Sequence, residues 1–241
     1  MKINFVIPTY NEALVIEKNL QTVLAFFAKN FNDHDWKIIV ADNGSDDKTV
    51  EIAEKISKDN SRLVVWHTDQ KGRGQALKKV WQTFPADIVG YMDADLATDL
   101  KHVPELINAL NTADLAVGTR LGAESKTSRS FFREMTSRIY NFLAGYLVPL
   151  PVSDTQCGFK AMTNKSAELL LPLTEHPGWF FDTELLGLAK HFKLKVVEIP
   201  VSWQEAPDKK RKSSVKIFET AIDYLKQLIK LRRRLAQWPK K

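Results

Sequence analysis

Apolar residues fall into two rhythms along the first half of this chain. Short, mostly apolar runs at Ile3–Ile7, Trp36–Ala41, Leu63–Trp66, Asp87–Met92 and Leu115–Val117 read as buried strands, the first stopped by Pro8. Between them, Glu12–Ala28 places Leu14, Val15, Leu20, Val23, Leu24 and Phe27 at helical spacing, and Asp46–Ser57, Gly74–Thr83 and about Val103–Leu110 read as shorter helices. Repeated strand–helix units predict an α/β fold, with a Rossmann-like, mostly parallel sheet flanked by helices and joined by right-handed crossovers. After Gly118 the rhythm changes. Ser128–Val148 reads as a long helix, Lys165–Leu171 and Phe180–His191 as helices, Lys195–Pro200 as a strand, Gln204–Ser214 as a basic loop and Val215–Trp238 as a final basic helix. There is no internal repeat and no flexible linker.

In such sheets functional residues collect at the carboxyl ends of strands, where Thr9, Asp42, Asp93 and Asp95 fall. Asp93 and Asp95 are two apart. On an extended strand they face one side, and two like charges held together raise each other's pKa unless a cation lies between. Mg²⁺ typically takes one or two carboxylates plus substrate phosphates; the competing reading is a strand end with a helix-capping Asp. In Val6-Ile7-Pro8-Thr9-Tyr10-Asn11-Glu12, Pro8 ends the strand and Asn11 is placed to cap the helix. In Ala41-Asp42-Asn43-Gly44-Ser45-Asp46, Gly44 suits a positive φ and Ser45 or Asp46 a cap, which leaves Asp42 without a structural duty. Lys71-Gly72-Arg73-Gly74 is a glycine-bracketed cation before a helix, a turn able to admit phosphate close to the backbone.

Composition narrows the partners. The 241 residues suffice for one large domain or two small ones, and the formal charge of +6 suits an anionic partner: nucleotide, phospholipid or nucleic acid. Cys157 is the single cysteine, so no intramolecular disulfide forms and a reducing compartment is expected. The five histidines are scattered without zinc spacing. Met1–Pro8 reads as a strand, not a signal peptide. The longest uncharged apolar run, Phe142–Pro151, is about half the roughly 20 residues of a membrane span.

In this order, the segments resemble family 2 glycosyltransferases of the GT-A fold, from about Lys2 to Lys216. Gly118-Thr119-Arg120, Arg129–Arg138, Ser153-Asp154-Thr155-Gln156-Cys157-Gly158-Phe159-Lys160, Trp179–Leu186, Glu198–Trp203 and Ser213–Lys216 look like the polyprenyl-phosphate sugar synthases. The stretch from Asp154 to Lys160 looks most like dolichyl-phosphate glucosyltransferases; mannosyl synthases usually carry Gly where this chain has Cys157. The resemblance implies a catalytic domain over 1–216 and a basic amphipathic helix over 217–241. It places Pro8, Thr9, Tyr10, Glu12, Asp42, Gly44, Arg73, Asp93, Ala94, Asp95 and, on loop closure, Lys216 around a nucleotide sugar. Thr9, Tyr10, Glu12 and Asp42 would hold uracil and ribose, Arg73 would approach the diphosphate, and Asp93 and Asp95 would bind Mg²⁺ or Mn²⁺. Some relatives supply another ligand where this chain has Ala97, so Thr98 or water would substitute. Arg120, Arg133, Ser137 and Arg138 would face an acceptor phosphate, with Arg129 and Arg138 equally readable as the wet face of a helix. Asp154 sits where the family often places a third carboxylate, and Asp93, Asp95, Arg120 and Asp154 form the expected catalytic set.

The implied reaction is inverting transfer of glucose from UDP-glucose to a polyprenyl phosphate. A phosphate monoester, with a second pKa near 6, arrives largely ionised and does not strongly need a general base. Asp154 is then an orienter. A saccharide hydroxyl would need a base, and Asp154 would be it; another donor such as GDP-mannose or UDP-GlcNAc would keep the mechanism. Phe131, Phe132, Met135, Ile139, Phe142, Leu143, Tyr146 and Leu147 form one apolar stripe, and Phe218, Ile222, Leu225, Leu228, Ile229 and Leu235 a second, flanked by Lys226, Lys230 and Arg232–Arg234. Basic amphipathic helices rest in membrane interfaces or pack on a core. The first stripe is expected at an interface, and the second at a membrane, a partner or a second subunit. A peripheral position on the cytoplasmic membrane face follows. A nucleic-acid-binding role would leave Asp42, Asp93 and Asp95 unexplained, so no nucleic-acid partner is expected.

Overall fold

A computed structural model describes residues 1–128, 131–204 and 217–238, with the backbone alone at 131–133 and 217–221. The chain order is β1 (Lys2–Thr9), α1 (Ile16–Asn30), β2 (Asp35–Asn43), α2 (Thr49–Asp59), β3 (Leu63–Thr68), α3 (Arg73–Thr83), β4 (Ile88–Met92), α4 (Val103–Ala109), β5 (Leu115–Thr119), β6 (Lys126–Ser128), α5 (Phe131–Leu147), β7 (Phe159–Thr163), α6 (Asn164–Leu170), α7 (Phe181–His191), β8 (Val196–Pro200), β9 (Ser202–Gln204) and α8 (Ile217–Gln237). Seven strands form the main sheet in the order β3-β2-β1-β4-β7-β5-β8. β7 runs antiparallel to both its neighbours, β4 and β5, while the other pairings are parallel. This is the expected α/β sheet with one strand, β7, that apolar patterning did not reveal. A parallel two-stranded ribbon of β6 and β9 lies apart from it.

Alternation along the strands divides the core between the two faces. Ile3, Phe5 and Ile7 of β1, with Ile38 and Val40 of β2, pack with α1, Ala53 of α2, and Val103, Leu106 and Ile107 of α4. Val6, Ile39 and Ala41 point the other way, toward Leu77, Val80 and Trp81 of α3 and Leu185, Leu186 and Leu188 of α7. Burying each such side chain contributes about 1.5–3 kcal/mol, so strands covered on both faces anchor the loops at their ends.

Two expected boundaries move. β1 does not stop at Pro8: Pro8 pairs with Ala41 and Thr9 with Asp42. α1 begins at Ile16 behind Val15, whose side chain has no polar atom to cap it, and Asn11 serves elsewhere. At φ +56°, Asn11 donates through Nδ2 to Asp46 Oδ1 at 2.6 Å and accepts from the Asp46 backbone at 2.9 Å. Ser45 Oγ accepts from the Asn11 N–H at 2.9 Å. Asn11, Ser45 and Asp46, expected as caps, thus tie two strand-end loops together.

A third apolar cluster joins Ala144 and Val148 of α5 to Phe180 and to Leu228 and Leu231 of α8. The long helices therefore pack on each other and on the start of α7. Tyr140, Leu147, Tyr224 and Leu235 pack half-buried against this cluster, whereas other apolar side chains of the two helices face outward: Phe142 is 73% and Tyr146 78% exposed, and Ile139, Ile222 and Leu225 are exposed too. Among the described residues no helix is long and apolar enough to cross a membrane.

Candidate active site

The nucleotide-side candidates gather where β1, β2, β3 and β4 end. Asp42 is fully buried. Its Oδ1 accepts from the Gly44 and Ser45 backbones at 3.2 and 3.1 Å and from His67 Nδ1 at 2.8 Å; its Oδ2 accepts from Thr9 Oγ1 at 3.1 Å and from Ser45 Oγ. Asp42 thus has the structural duty that sequence denied it. Gly44 takes the expected positive φ, +87°. His67 was missed. Its second nitrogen lies 3.2 Å from Asp69, and the bond to Asp42, against partial desolvation, raises its pKa. Tyr10 accepts from Lys71 Nζ at 2.6 Å. The Glu12 N–H donates to Thr49 Oγ1 at 2.7 Å, and Glu12 is largely buried.

Asp93, Ala94 and Asp95 lie just beyond β4, in a turn closed by the Leu96 N–H on the Asp93 carbonyl at 3.1 Å, with Leu96 at φ +50°. The two carboxylates therefore do not share a face of an extended strand; the turn brings them together instead. Asn19 Nδ2 donates to the Ala94 carbonyl at 2.7 Å, and Asp95 Oδ1 accepts from the Ala97 N–H at 3.1 Å. The following residues are stapled to β9: the Ala97 carbonyl accepts from Gln204 at 2.8 Å, and Thr98, largely buried, bridges to Trp203. Burial first, and the Asp95 charge as well, raise the Asp93 pKa against the pull of Arg73.

Arg73 is placed differently from the expectation of a cation open to phosphate. It is 7% exposed. Its Nη1 donates to Asp182 Oδ2 at 2.6 Å and its Nη2 to Asp93 Oδ1 at 3.0 Å, and the rings of Tyr91 and Trp179 each lie 4.7 Å from the guanidinium carbon. The bracketing glycines admit the protein's own chain: a Cβ on Gly72 would lie 2.8 Å from the Pro177 carbonyl, and one on Gly74 2.4 Å from Phe181 Cβ. Asp182, Lys160 and Tyr91, all buried, complete a cluster to which sequence assigned no role. Their partners come from distant segments, so no local motif joins them.

On the other side of β4, Arg120 grips Asp154. Nε donates to Oδ2 at 2.7 Å and Nη2 to Oδ1 at 3.0 Å, with the Arg120 backbone N–H on Oδ2 at 3.1 Å. Asp154 is fully buried. Burial pushes its carboxyl up, and Arg120 pulls it below the ordinary carboxylate range. Glu198, part of the resembling stretch but given no role there, accepts from the Ser153 N–H and Oγ, both at 2.8 Å, and holds this loop. Of the α5 candidates, exposed Arg138 pairs with Glu134 one turn earlier at 2.8 Å, the wet-face arrangement; Ser137 is half-buried and its carbonyl accepts from Asn141. Arg133 lies on α5 with its side chain outside the described atoms, and Arg129 and Lys216 lie outside the described residues. The same α5 stretch reaches the Asp154 loop through Asn141, whose Oδ1 accepts from the Thr155 N–H and Oγ1, both at 2.9 Å. Cys157 is buried and its thiol pushed up to about 12 by burial, so it stays protonated.

The Asp93–Asp95 turn presents hard oxygen donors, and burial first, with the neighbouring Asp95 charge adding to it, raises the Asp93 pKa. That chemistry fits Mg²⁺ or Mn²⁺. Among the described residues no group of three His, Cys, Asp or Glu forms a protein-only metal cage, so a metal here would complete its shell with donor phosphates or water.

The comparisons agree with this geometry. A family model described as glycosyl transferase family 2 matches residues 4–170. Glycosyltransferase AglD of Haloferax volcanii is 34% identical over 213 residues, 87% of this chain, which spans 34% of AglD. Dolichyl-phosphate beta-glucosyltransferase ALG5C of Trichomonas vaginalis is 31% identical over 95% of this chain and 71% of its own length. The human dolichyl-phosphate beta-glucosyltransferase is 30% identical over 85% of this chain and 68% of its own. Among solved structures, glucosyl-3-phosphoglycerate synthase from Mycobacterium tuberculosis, crystallised with Mn²⁺, UDP and glucosyl-3-phosphoglycerate, superposes with TM-score 0.64 at 21% identity, covering 99% of this chain and 81% of that one. Fold, strand-end carboxylates and family match converge, and the chain belongs to glycosyltransferase family 2.

Proposed function

We propose that this enzyme transfers glucose from UDP-glucose to a polyprenyl phosphate, inverting the anomeric carbon, at the cytoplasmic face of a membrane. One observation carries the choice of acceptor: Asp154 is fully buried, and both its oxygens are engaged by Arg120. A carboxylate so held is a poor base. An acceptor that arrives ionised needs none, and a phosphate monoester is such an acceptor. Relatives named for dolichyl phosphate and glucose support the same pairing.

In this reading Asp95 and Asp93 would hold Mg²⁺ or Mn²⁺. When bound, the metal neutralises charge on the departing UDP. Thr9, Tyr10, Glu12 and the Asp42 loop frame the nucleoside, and Lys216, outside the described residues, is assigned to the diphosphate by the family resemblance alone. The Arg120 fork uses Nε and Nη2, and Nη1 takes no part in it; that arm, with Arg133, draws the phosphate nucleophile toward the sugar despite the negative donor. The outward apolar residues of α5 and α8, with exposed Lys226, Arg232 and Arg233, rest on the anionic membrane surface.

The test offers the purified chain radiolabelled nucleotide sugars with Mg²⁺ or Mn²⁺ and a polyprenyl phosphate in detergent. Label from UDP-glucose in the organic phase, abolished by EDTA, is the expected result. Label from another donor corrects the sugar. No lipid label, with UDP released to an added saccharide, moves the acceptor to a hydroxyl and overturns the reading.

A further inference from the structure

Asp182 lies in the first turn of α7 and is 1% exposed. It does not cap its helix, whose N-cap, Phe180, makes no side-chain capping bond. It reaches into the sheet instead. Oδ1 accepts from Lys160 Nζ at 2.9 Å and from the Tyr91 hydroxyl, and Oδ2 from Arg73 Nη1 at 2.6 Å. Through its other terminal nitrogen Arg73 holds Asp93 Oδ1 at 3.0 Å. The guanidinium thus bridges a buried carboxylate and the site carboxylate, with the rings of Tyr91 and Trp179 each 4.7 Å from its central carbon. Gly158 walls the far side of Asp93: a Cβ there would lie 1.8 Å from Asp93 Oδ2. The Asp93 N–H also donates to the Gly158 carbonyl at 3.1 Å.

Charge completes the argument. Arg73 and Lys160 supply two cations to this cluster, and Asp182 and Asp93 two carboxylates. Without Asp182 the whole Arg73 charge, with Lys160 behind it, falls on Asp93. We propose that Asp182 is a positioning residue of the transfer reaction: it takes one arm of Arg73, so that the other arm holds Asp93 at one angle for the metal–nucleotide donor. This rests on the placement of the donor at Asp93 and Asp95. Asp182 itself touches no reacting atom.

A double-mutant cycle tests it, read by calorimetric binding of UDP with Mn²⁺ to the full chain, with folding checked by circular dichroism. Asp182→Asn is expected to weaken binding about 10- to 100-fold, the usual effect of removing a partner that orients a ligand. In an Asp93→Asn background the same change is expected to cost less than about twofold, since its target is gone. An equal loss in both backgrounds, or wild-type binding by folded Asp182→Asn, overturns the proposal. Should Asp182→Asn not fold, Tyr91→Phe keeps every charge while removing one donor to Asp182. A loss of at least about twofold that vanishes with Asp93→Asn supports the relay, and an unchanged or additive value refutes it. A wild-type chain that binds GDP and not UDP refutes the donor assignment alone, and the cycle is then read with GDP.

Discussion

Two arginines meet carboxylates on either side of β4, in opposite ways. Arg120 closes both ends of its fork on one residue, Asp154. Arg73 divides its fork between Asp182 and Asp93, which come from separate segments of the chain. A closed pair is a local unit: Nε and Nη2 are both spent on Asp154, and only Nη1 is left for a ligand. A divided fork transmits, because whatever happens to one carboxylate changes how strongly the other is held. Rigidity near the proposed acceptor and responsiveness near the proposed donor thus arise from one side-chain type in two geometries.

The largest expected effect comes from opening the closed pair. Arg120→Ala strands the buried Asp154 charge, and breaking a buried pair from one side costs about 3–5 kcal/mol; chemical denaturation should show that loss together with undetectable transfer. Stability unchanged within experimental error would mean that Asp154 finds another partner. Next is Gly158→Ala, which should cut turnover about 100-fold by pushing Asp93 off its wall while leaving the Arg120–Asp154 pair intact. A variant with full activity would show that the Asp93 position matters little.

Asp154→Asn follows, with turnover reduced about 10- to 100-fold but measurable, as expected for an orienting partner. Complete loss with intact donor binding would restore Asp154 as a base. A smaller effect separates site from surface: Phe142→Ser with Tyr146→Ser should change stability by less than about 0.5 kcal/mol per site while reducing sedimentation with anionic vesicles. Unchanged sedimentation would remove α5 from the proposed membrane face. The smallest concerns His67, which carries a pKa raised by its bond to Asp42. A raised folded-state value means the contribution is complete below the unfolded value of about 6.5 and fades as pH rises through the folded one. Melting curves from about pH 6 to 9 should show a slight decline that His67→Gln lacks.

The two forks also mark where sequence reading works. Strands β1 to β4 announce themselves because each is a short apolar run, and Asp42, Asp93 and Asp95 follow from their positions at strand ends. Asp182 was not assigned a role because its partners Lys160, Tyr91 and Arg73 are separated from it by tens of residues; its burial and that of Lys160 are properties of the assembled sheet. β7 hides for a related reason. It contains Lys160, whose buried amine is satisfied by Asp182 and by the carbonyls of Thr155 and Cys157 at 3.0 and 2.7 Å, and a lysine in a five-residue run does not look like an interior strand. Periodicity marks α1 and α5 alike as amphipathic, yet α1 buries Leu20, Val23 and Phe27 completely while α5 leaves Phe142 and Tyr146 outside. A pattern states that a face is apolar, not what covers it.

β7 has one more consequence, for the order in which the chain is built. It enters the sheet between β4 and β5, pairing Met92 with Phe159 and Leu115 with Met162. Emerging from the ribosome, residues 1–92 can assemble four parallel strands, but one edge of β4 stays unpaired until Phe159–Thr163 arrive. An open edge is a template for wrong pairing, and pairing across so long a separation is slow. The nascent chain is therefore most vulnerable to aggregation, and most in need of a chaperone, while the stretch between Asp93 and Gly158 is being synthesised.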